Sequence, residues 1–529
     1  MLALDVGTQS VRALVFDGDG NLLARSRVPL VDYRSPRPGW HEHDANGFWE
    51  ALCSACARLW QAHPELRERV LGVGLTTQRG TVVNVDDRGE PLRPAITWLD
   101  QRKAPVVPRI SALWRAGFAL ARVSETIRYL QQEAEANWLR SEEPQVWSAT
   151  YKYLLLSGFL IQKLTGKFVD STASQVGYVP FDYRRLRWAS RHDWKWQALR
   201  IDPQLLPELA APGTAVGGLT DAAADATGIR RGTPVIAAAA DKACEVLGAG
   251  CLDSNVGCLS YGTAATMNVC STRYVEVTPF IPPYPAAVPN AYNIEVQISR
   301  GFWMVEWFKA QFGLLERLAA KESGGSVEAL FDELVESVPP GSAGLLVQPY
   351  WSPGLRRPGP EARGAMIGFG AAHTRAHVYR AILEGLAYAL REGKERIELR
   401  GHFRVGDLRV AGGGSQSDAA MQVTADIFGM PCSRPHVYEA SGLGVAIDVA
   451  VGLGIHPDFS AATRAMTRIA QTFEPRPQHA ELYQAVYERI YKRVYPQLQG
   501  LYHAMREIYR EPEAPPLCAG GDVATTPKS

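Results

Sequence analysis

The chain has 529 residues, of which 46% are apolar and 21% are charged, and its formal net charge is +1. These values are ordinary for a globular protein of several domains, and the near-neutral charge excludes a basic footprint for nucleic acid. The longest apolar runs, such as residues 235–240, are far shorter than a membrane span. Because no signal segment precedes the first strand and the eight cysteines are scattered, we expect a cytoplasmic protein with reduced thiols and no membrane contact.

The first predicted element is a β-hairpin over residues 2–16, in which two apolar runs flank a polar centre. Gly7 would supply backbone angles that other residues avoid, and the hydroxyls of Thr8 and Ser10 stand beside the free N–H groups of the turn. Such a turn can wrap an anion, with the Asp5 carboxylate holding a metal ion beside it. An ordinary amino-terminal hairpin is the alternative.

A helix is predicted over residues 48–60, where Cys53 and Cys56 share the apolar face with leucine and tryptophan side chains. This spacing favours packing over redox or metal chemistry for the two thiols. The preceding sequence His-x-His-Asp at 41–44 suggests a metal site, but no fourth ligand is evident. Asp44 is instead well placed as the N-cap of the helix.

Two predicted strands then end in polar residues. Residues 70–77 are followed by Gln78 and Arg79, and residues 94–98 are followed shortly by Asp100. Ligands of open α/β sheets bind outside the carboxyl ends of strands, so these side chains are candidate substrate contacts. A surface pair between Asp100 and a neighbouring arginine is the alternative. The region from 105 to about 165 is predicted to be mostly helical.

A further strand, residues 233–240, ends at Asp241 and Lys242, where a helix begins that continues to residue 247. Asp241 could cap that helix and could also accept a proton from a substrate hydroxyl in a cleft; the two roles are compatible, and the position at the end of a strand favours the second. The hairpin pattern then returns over 256–269, with Gly262 and Thr263 between two apolar runs. The repetition indicates two related domains that close on one phosphate-bearing ligand.

The later part of the chain is predicted to contain a long helix over 376–399 and a strand, a glycine-rich turn and a helix start over 408–418. The glycines allow the backbone to approach a ligand, and the helix N-terminus favours phosphate or a polar nucleotide edge. The turn is not a Walker P-loop, because no Gly-Lys-Ser/Thr follows. Residues 439–446 predict a small-residue helix suited to close packing, and a last helix is predicted over 480–510.

Nine short segments occur in one order over residues 2–454: Asp5-x-Gly7-Thr8-x-Ser10-x-Arg12, Gly39-Trp40-x-Glu42-x-Asp44, Trp98-x-Asp100-x-Arg102, Asp241, Ser260-x-Gly262-Thr263, Pro349-Tyr350, Ala362-Arg363-Gly364-Ala365, Gly412-Gly413-Gly414-Ser415 and Glu439-Ala440-x-Gly442-x-Gly444. In this order they resemble the FGGY family of carbohydrate kinases. The resemblance implies an α/β fold of two ribonuclease-H-like, actin-like ATPase domains with a deep interdomain cleft. We therefore expect an N-terminal sugar-binding domain over 1–252, a C-terminal ATP-binding domain over 253–511 and a disordered tail over 512–529.

The resemblance also implies an activity: transfer of a phosphoryl group from Mg-ATP to a hydroxyl of a small sugar, ketose or polyol. Asp241 would be the general base, and Asp5 and Asp241 would hold Mg²⁺ through water. The substrate would contact Gln78, Arg79, Asp100 and Lys242. The phosphates and adenosine of ATP would contact Gly7, Thr8, Ser10, Arg12, Gly262, Thr263, Gly412, Gly413, Gly414 and Ser415. A homodimer is compatible with this prediction.

Two positions depart from the branches of the family. Gln78-Arg79 resembles the glycerol-kinase branch, but Gly80 stands where that branch has an acidic residue, and the Met-His pair typical of xylulokinases is absent. Lys242 follows the expected base where amide residues are common. These departures leave two alternatives open: a non-catalytic nucleotide-binding regulatory protein on the same fold, and a kinase of a polyol-like signal such as autoinducer-2. A chaperone-like ATPase is disfavoured, because the sequence after residue 454 is too short for a peptide-binding domain.

Overall fold

The computed structural model describes residues 1–30, 33–354 and 358–509. The predicted tail over 512–529 and the predicted end of the last helix at Arg510 lie outside the described residues.

The strands of the first half of the chain are β1 (Leu2–Val6), β2 (Ser10–Phe16), β3 (Leu22–Pro29), β4 (Glu42–His43), β5 (Val73–Thr77), β6 (Val82–Val85), β7 (Ala95–Ile96), β8 (Lys152–Leu155), β9 (Val169–Ser171), β10 (Phe181–Asp182), β11 (Arg187–Trp188), β12 (Glu208–Ala210), β13 (Ala215–Gly218) and β14 (Pro234–Ala237). Its helices are α1 (Ala45–Ala62), α2 (Pro64–Arg67), α3 (Ala112–Leu120), α4 (Ser124–Glu133), α5 (Glu135–Glu142), α6 (Pro144–Ala149), α7 (Leu156–Thr165), α8 (Trp194–Leu199), α9 (Asp221–Thr227) and α10 (Asp241–Gly248).

The second half continues with strands β15 (Val256–Tyr261), β16 (Ala265–Ser271), β17 (Tyr284–Pro285), β18 (Tyr292–Ile298), β19 (Leu346–Gln348), β20 (Ala365–Ile367), β21 (Asp407–Ala411), β22 (Cys432–Pro435) and β23 (Ile469–Phe473). Its helices are α11 (Trp303–Phe312), α12 (Leu314–Ser323), α13 (Val327–Glu336), α14 (Arg375–Gly401), α15 (Asp418–Phe428), α16 (Ala440–Gly452), α17 (Phe459–Met466), α18 (Pro477–Val486) and α19 (Lys492–Tyr509). A π-helical turn, Tyr487–Tyr491, separates α18 from α19, where the sequence predicted one continuous helix.

The two large sheets repeat one topology. The first sheet has the strand order β13-β14-β5-β1-β2-β3, and the second has the order β17-β18-β16-β15-β21-β22-β23. Across each sheet, three strands pair antiparallel, the next two pair parallel, and the last pairs antiparallel. In spatial order, β3-β2-β1-β5-β14-β13 of the first sheet correspond to β18-β16-β15-β21-β22-β23 of the second. The predicted duplication of the hairpin is therefore part of a duplicated domain.

Helices cover both faces of the first sheet. One face packs on α1 and α7, and the other packs on α16, which belongs to the second half of the chain. α16 crosses α10 so closely that a Cβ added at Gly248 would lie 1.9 Å from the carbonyl oxygen of Ala440. A Cβ at Gly444 would lie 2.0 Å from the carbonyl oxygen of Cys244. The close packing predicted for this small-residue helix is confirmed, and it joins the two halves through one apolar interface.

The segment 41–44, which precedes α1, was predicted to hold either a metal site or the N-cap of the helix, and the structure shows the N-cap. Asp44 is the N-cap of α1, and its carboxylate accepts a hydrogen bond from the backbone N–H of Asn46 at 3.1 Å. Within the described ranges no group of three or more His, Cys, Asp or Glu side chains is arranged to hold a metal ion. Cys56 is buried in the core beneath the first sheet, and neither Cys53 nor Cys56 is in a disulfide.

Asp448 is a buried charge-bearing group inside this interface. Its side chain is fully buried in α16, and neither carboxyl oxygen has a hydrogen-bond partner in the described part of the chain. Burial raises the pKa of Asp448 well above its ordinary value. Because the pKa is higher in the folded than in the unfolded protein, burying Asp448 costs least below the unfolded-state pKa, where the carboxyl group is protonated in both states. The protein loses stability as the pH rises from there through the folded-state pKa, because the unfolded state then ionises more readily than the folded state.

We expect Asp448→Ala to raise the free energy of unfolding by about 1–2 kcal/mol at about pH 8, because removing a buried polar group without partners outweighs the cost of the small cavity that is left. The gain should shrink at about pH 5, since a protonated carboxyl costs less to bury. Urea unfolding of both proteins at the two pH values measures the difference. A variant less stable than the wild type at the higher pH would show that the carboxyl group has a stabilising partner.

Candidate active site

The carboxyl ends of the parallel strands bring the predicted site residues together. In the first sheet, β1 is followed by Gly7 and Thr8, β5 by Gln78 and Arg79, and β14 by Asp241. These three strands are parallel neighbours, so their ends meet at one edge of the sheet. In the second sheet, β15 and β21 are parallel neighbours that lead into the turns beginning at 262 and 412. Both sheets thus present loops where ligands bind in open α/β folds.

The two Gly-Thr turns differ from the prediction in one respect. Neither Gly7 nor Gly262 has a positive φ, so unusual backbone angles do not explain these glycines. A Cβ at Gly7 would lie 3.5 Å from the carbonyl oxygen of Ser10, and one at Gly262 would lie 3.5 Å from that of Ala264. Both are ordinary contacts, so the protein itself has room for a side chain at each position. What the glycines provide is an open cradle above the turn.

The first turn is fixed by side chains from three other segments. The hydroxyl of Thr8 donates to Oε1 of Gln78 at 3.1 Å and accepts from Nε1 of Trp98 at 2.9 Å. The hydroxyl of Tyr33 donates to the carbonyl oxygen of Thr8 at 2.6 Å. The turn itself is closed by the backbone N–H of Gly7, which donates to the carbonyl oxygen of Ser10. The Thr8 hydroxyl therefore links the turn to the predicted substrate residues.

Asp241 is the first residue of α10, whose N-cap is Ala240, so the predicted alternative of a capping role is wrong. Its Oδ1 accepts a hydrogen bond from the backbone N–H of Lys242 at 2.7 Å. In the described ranges no donor lies within hydrogen-bond distance of its other oxygen. Burial raises the pKa of Asp241, and the charges of Lys242 and Arg79 oppose this effect. The result is a carboxylate with one free oxygen and an increased affinity for a proton.

Lys242 is held beside the second Gly-Thr turn. Its Nζ donates to Oε2 of Glu245 and to Oγ of Ser260, both at 2.6 Å. The same Nζ lies 3.9 Å from the position that a Cβ at Gly262 would occupy. Glu245 is buried and shares its carboxylate with the Ser260 hydroxyl at 2.9 Å. The ammonium group is therefore fixed at the turn and leaves one N–H free to donate.

Asp5 lies behind the first turn in an ion-pair cluster that joins both halves. Its buried carboxylate accepts from Nη1 of Arg12 at 2.9 Å, and the same Nη1 lies 3.4 Å from Oε2 of Glu439, which precedes α16. Burial raises the pKa of Asp5 to about 6, opposed by Arg12 and reinforced by the charges of Glu439 and Asp241. Arg12, predicted to contact phosphate, thus has two carboxylate partners while about a third of its side chain, 31%, stays exposed.

Arg79 forms a second ion pair between the two sheets. Its guanidinium donates to the carboxylate of Glu295 on β18, with Nη1 and Nη2 each 3.2 Å from Oε1, and it lies over the ring of Tyr284 at 4.9 Å. The neighbouring Gln78 is buried, and its Nε2 has no acceptor in the described part of the chain. Glu295 and Tyr284 could not be found from the sequence, because Arg79 and Glu295 are 216 positions apart and leave no local signal.

Asp100 is turned away from open space. Its Oδ1 accepts from the backbone N–H and Nε of Arg102, both at 2.8 Å, and its Oδ2 accepts from Nη2 of Arg102 and the backbone N–H of His41, both at 2.7 Å. Arg102 is itself enclosed between the rings of Trp40 and Trp138, at 4.1 and 4.5 Å. All four acceptor positions of the carboxylate are used, so Asp100 holds a loop in place. The predicted alternative of an Asp–Arg pair is formed, but it is buried.

The glycine-rich turn after β21 contains three glycines, and packing requires only two of them. Gly412 has φ +85°, and a Cβ there would lie 2.8 Å from the carbonyl oxygen of Tyr261. A Cβ at Gly414 would lie 2.3 Å from the ring of Phe302, whereas nothing lies within 4 Å of one at Gly413. The hydroxyl of Ser415 donates to the carbonyl oxygen of Gly412 at 2.7 Å. Packing therefore requires Gly412 and Gly414, and Gly413 faces open space.

Comparison with known proteins adds independent findings. Residues 1–248 match the model of the N-terminal domain of the FGGY family of carbohydrate kinases, and residues 257–453 match that of its C-terminal domain. A xylulose kinase of Lactococcus lactis subsp. lactis (strain IL1403) is 29% identical over 492 residues, 92% of this chain and 94% of that protein. A glycerol kinase of Dechloromonas aromatica (strain RCB) is 28% identical over 496 residues, 90% of this chain and 93% of that protein.

A solved structure extends the likeness to three dimensions. The crystal structure of xylulose kinase from Rhodospirillum rubrum matches with a TM-score of 0.78 at 27% identity, and the match covers 95% of this chain and 99% of that chain. The predicted fold class, two ribonuclease-H-like domains of the actin-like ATPase type, is thereby confirmed. None of the helices in the described ranges has the length and apolar character needed to cross a membrane.

Proposed function

Since the chain belongs to the FGGY family of carbohydrate kinases, we propose that it transfers the terminal phosphoryl group of Mg-ATP to a hydroxyl of a small ketose or polyol, with Asp241 as general base. The observation that carries this proposal is the free carboxylate oxygen of Asp241 at the shared edge of three parallel strands. The two open Gly-Thr turns lie at the corresponding strand ends of the two sheets. A base beside two phosphate cradles is the arrangement that phosphoryl transfer to an alcohol needs.

The base is suited to this chemistry by its surroundings. Burial raises the pKa of Asp241, which increases its affinity for the hydroxyl proton that it accepts as the oxygen attacks phosphorus. The charges of Lys242 and Arg79 oppose this shift in pKa and favour the ionised carboxylate that a base needs. The hydrogen bond from the Lys242 backbone N–H to Oδ1 orients the carboxylate and leaves Oδ2 for the substrate.

The phosphates of ATP are assigned to the open turns and to Lys242. A backbone without a Cβ at Gly7, Gly262 and Gly413 lets phosphate oxygens approach the N–H groups of the turns. Lys242 was expected to contact the substrate; because its Nζ stands at the second Gly-Thr turn, we assign it to the transferring phosphoryl group. Its charge would stabilise the negative charge that spreads over the phosphoryl oxygens in the transition state.

The residues around Asp241 fit a divalent cation. The site holds five carboxylates against four cationic side chains: Asp5, Asp241, Glu245, Glu295 and Glu439 face Arg12, Arg25, Arg79 and Lys242. The charge of Asp241 contributes to the raised pKa of Asp5, so the two carboxylates repel each other. Mg²⁺ prefers oxygen ligands, keeps several waters and is held by one or two carboxylates. Asp5 and Asp241 would hold it, and when bound it neutralises phosphate charge.

The substrate is assigned to the edge next to β5. The unpartnered Nε2 of Gln78 and the guanidinium of Arg79 supply donors for hydroxyl oxygens, and the Trp98 ring, 41% exposed, supplies an apolar wall. Asp100 is left out, because its carboxylate has no free acceptor position. A relative named for xylulose and one named for glycerol make ketoses and polyols the first substrates to test.

The test is a coupled ADP-release assay with Mg-ATP over a panel of pentuloses, hexuloses, glycerol and longer polyols. Turnover with one class, absent when Mg²⁺ is removed with a chelator, is the expected result. ATP binding without turnover on any compound would overturn the kinase proposal for these compounds and favour the non-catalytic alternative. Extending the panel to autoinducer-2 separates a signal kinase from a metabolic one.

Replacing Lys242 by glutamine tests its assignment. We expect kcat to fall roughly 30-fold with little change in the KM of the sugar, because a charge that stabilises the transition state is lost. The matched control is Lys242→Arg, which keeps the charge and should retain more activity than Lys242→Gln. A raised KM for the sugar at unchanged kcat would instead return Lys242 to the substrate contacts of the original prediction.

A further inference from the structure

A basic pocket lies apart from the turns described above, between the β10–β11 hairpin and the start of β18. It has a volume of about 390 Å³ and is lined by Arg184, Arg185, Leu186, Arg187, Asn290 and Tyr292. The hairpin belongs to the first half of the chain, and Asn290 and Tyr292 belong to the second. A cavity of this volume accommodates a small-molecule ligand.

The walls of the pocket are held in place by defined contacts. Oδ1 of Asp182 accepts from the backbone N–H groups of Arg184 and Arg185 at 3.1 and 3.2 Å, which fixes the hairpin loop. The hydroxyl of the buried Tyr292 donates to the carbonyl oxygen of Arg184 at 2.6 Å and so joins the two halves. The Arg184 guanidinium lies 4.6 Å over the ring of Tyr274. The loop backbone and the Tyr292 wall are thus fixed, while the three arginine residues are exposed to solvent.

The charges in and around the pocket favour an anion. Three guanidinium groups fall within four consecutive residues of a chain whose net charge is only +1. Two carboxylates lie near them: Oδ2 of Asp182 is 3.7 Å from Arg185, and Glu276 is occupied by the hydroxyl of Tyr274 and the backbone N–H of Phe280. In the described ranges Arg187 has no carboxylate within ion-pair distance. The guanidinium groups therefore have donors to offer, and planar guanidinium donors match phosphate oxygens.

We propose that this pocket binds a phosphate dianion, either inorganic phosphate or a small phosphomonoester, and that the bound anion holds the two halves together. The anion would bridge the Arg185 and Arg187 side chains against the Tyr292 wall. Tyr292 lies on the same strand as Glu295, the partner of Arg79, so an anion that fixes β18 also fixes the ion pair at the substrate edge. The binding does not depend on the proposed function; only the link to the substrate edge rests on that function.

The experiment is isothermal titration calorimetry of the full-length chain without ATP or Mg²⁺. The ligand is inorganic phosphate in the first arm and glycerol 3-phosphate in the second. We compare the wild type with Arg185→Ala/Arg187→Ala and with the control Arg191→Ala/Arg230→Ala, which removes the same charge from exposed positions outside the pocket. Melting temperatures check that every variant is folded. The pocket double variant should bind at least about tenfold more weakly, and the control should bind like the wild type.

A third variant, Lys242→Ala, separates this pocket from the phosphate cradles of the proposed active site. Phosphate binding that survives in Lys242→Ala and is lost in Arg185→Ala/Arg187→Ala supports the pocket. Binding that is lost only in Lys242→Ala would overturn the pocket and leave the proposed function standing. Equal binding by the wild type and the pocket double variant, or no binding to the wild type at millimolar phosphate, would also overturn it. Tighter binding in the second arm identifies a phosphomonoester as the natural ligand.

Discussion

Replacing Asp241 by asparagine is expected to lower kcat by about 1,000-fold while ATP binding and folding stay intact. Asparagine keeps the size of the side chain, and its carbonyl oxygen can still accept from the Lys242 backbone N–H. It cannot take a proton from the substrate hydroxyl, so the attacking oxygen stays a weak nucleophile. The loss should therefore appear in kcat for the preferred substrate, measured by ADP release, with the KM of ATP little changed.

The matched control for this variant is Asp253→Asn, which neutralises an exposed carboxylate shortly after the same helix. It should behave like the wild type. Because burial raises the pKa of Asp241, neutralising its side chain should leave the melting temperature unchanged or slightly higher. Full activity of Asp241→Asn would show that another group accepts the proton. A large fall in melting temperature would make the loss of activity structural.

The strand ends of the site could be predicted from the sequence because each carries its own local signal. Buried strands followed by polar or glycine-rich turns mark Gly7, Asp241 and Gly262 without knowledge of any partner, and parallel pairing places the ends at one edge. The duplicated topology follows from the repeated hairpin in the same way.

The pairings within the site could not be predicted, because they join residues that are distant in the chain. Glu439 reaches Arg12, and Glu295 reaches Arg79, only after two sheets have been placed side by side. Asp100 was expected to face the substrate because of where its strand ends. The alternative pair with a neighbouring arginine is formed instead, and the distant backbone N–H of His41 uses a further acceptor position. Local pattern thus finds the edge at which ligands bind, and tertiary packing decides which side chains stay free there.

Tertiary packing also decides whether a glycine is needed for folding or for access of a ligand. Alanine substitutions at Gly262 and Gly414 should distinguish these two roles. We expect Gly262→Ala to fold like the wild type, because its Cβ would meet the carbonyl oxygen of Ala264 at an ordinary 3.5 Å. We expect Gly414→Ala to destabilise the protein by about 1–3 kcal/mol, because its Cβ would lie 2.3 Å from the ring of Phe302. Urea unfolding of the two variants measures this difference.

Activity should separate the same two variants in the opposite way. In Gly262→Ala the new methyl group fills the cradle beside the Lys242 ammonium, 3.9 Å away, where we place the transferring phosphoryl group. Since a displacement of about 1 Å at the reacting atoms can cost roughly 100-fold in rate, kcat/KM for ATP should fall by about that factor. Gly414→Ala, measured under conditions in which it is folded, should keep more of its kcat/KM for ATP than Gly262→Ala. If Gly262→Ala has the kinetics of the wild type, the assignment of the transferring phosphoryl group to the second turn is wrong. The role of Asp241 as base would then rest on the Asp241→Asn variant alone.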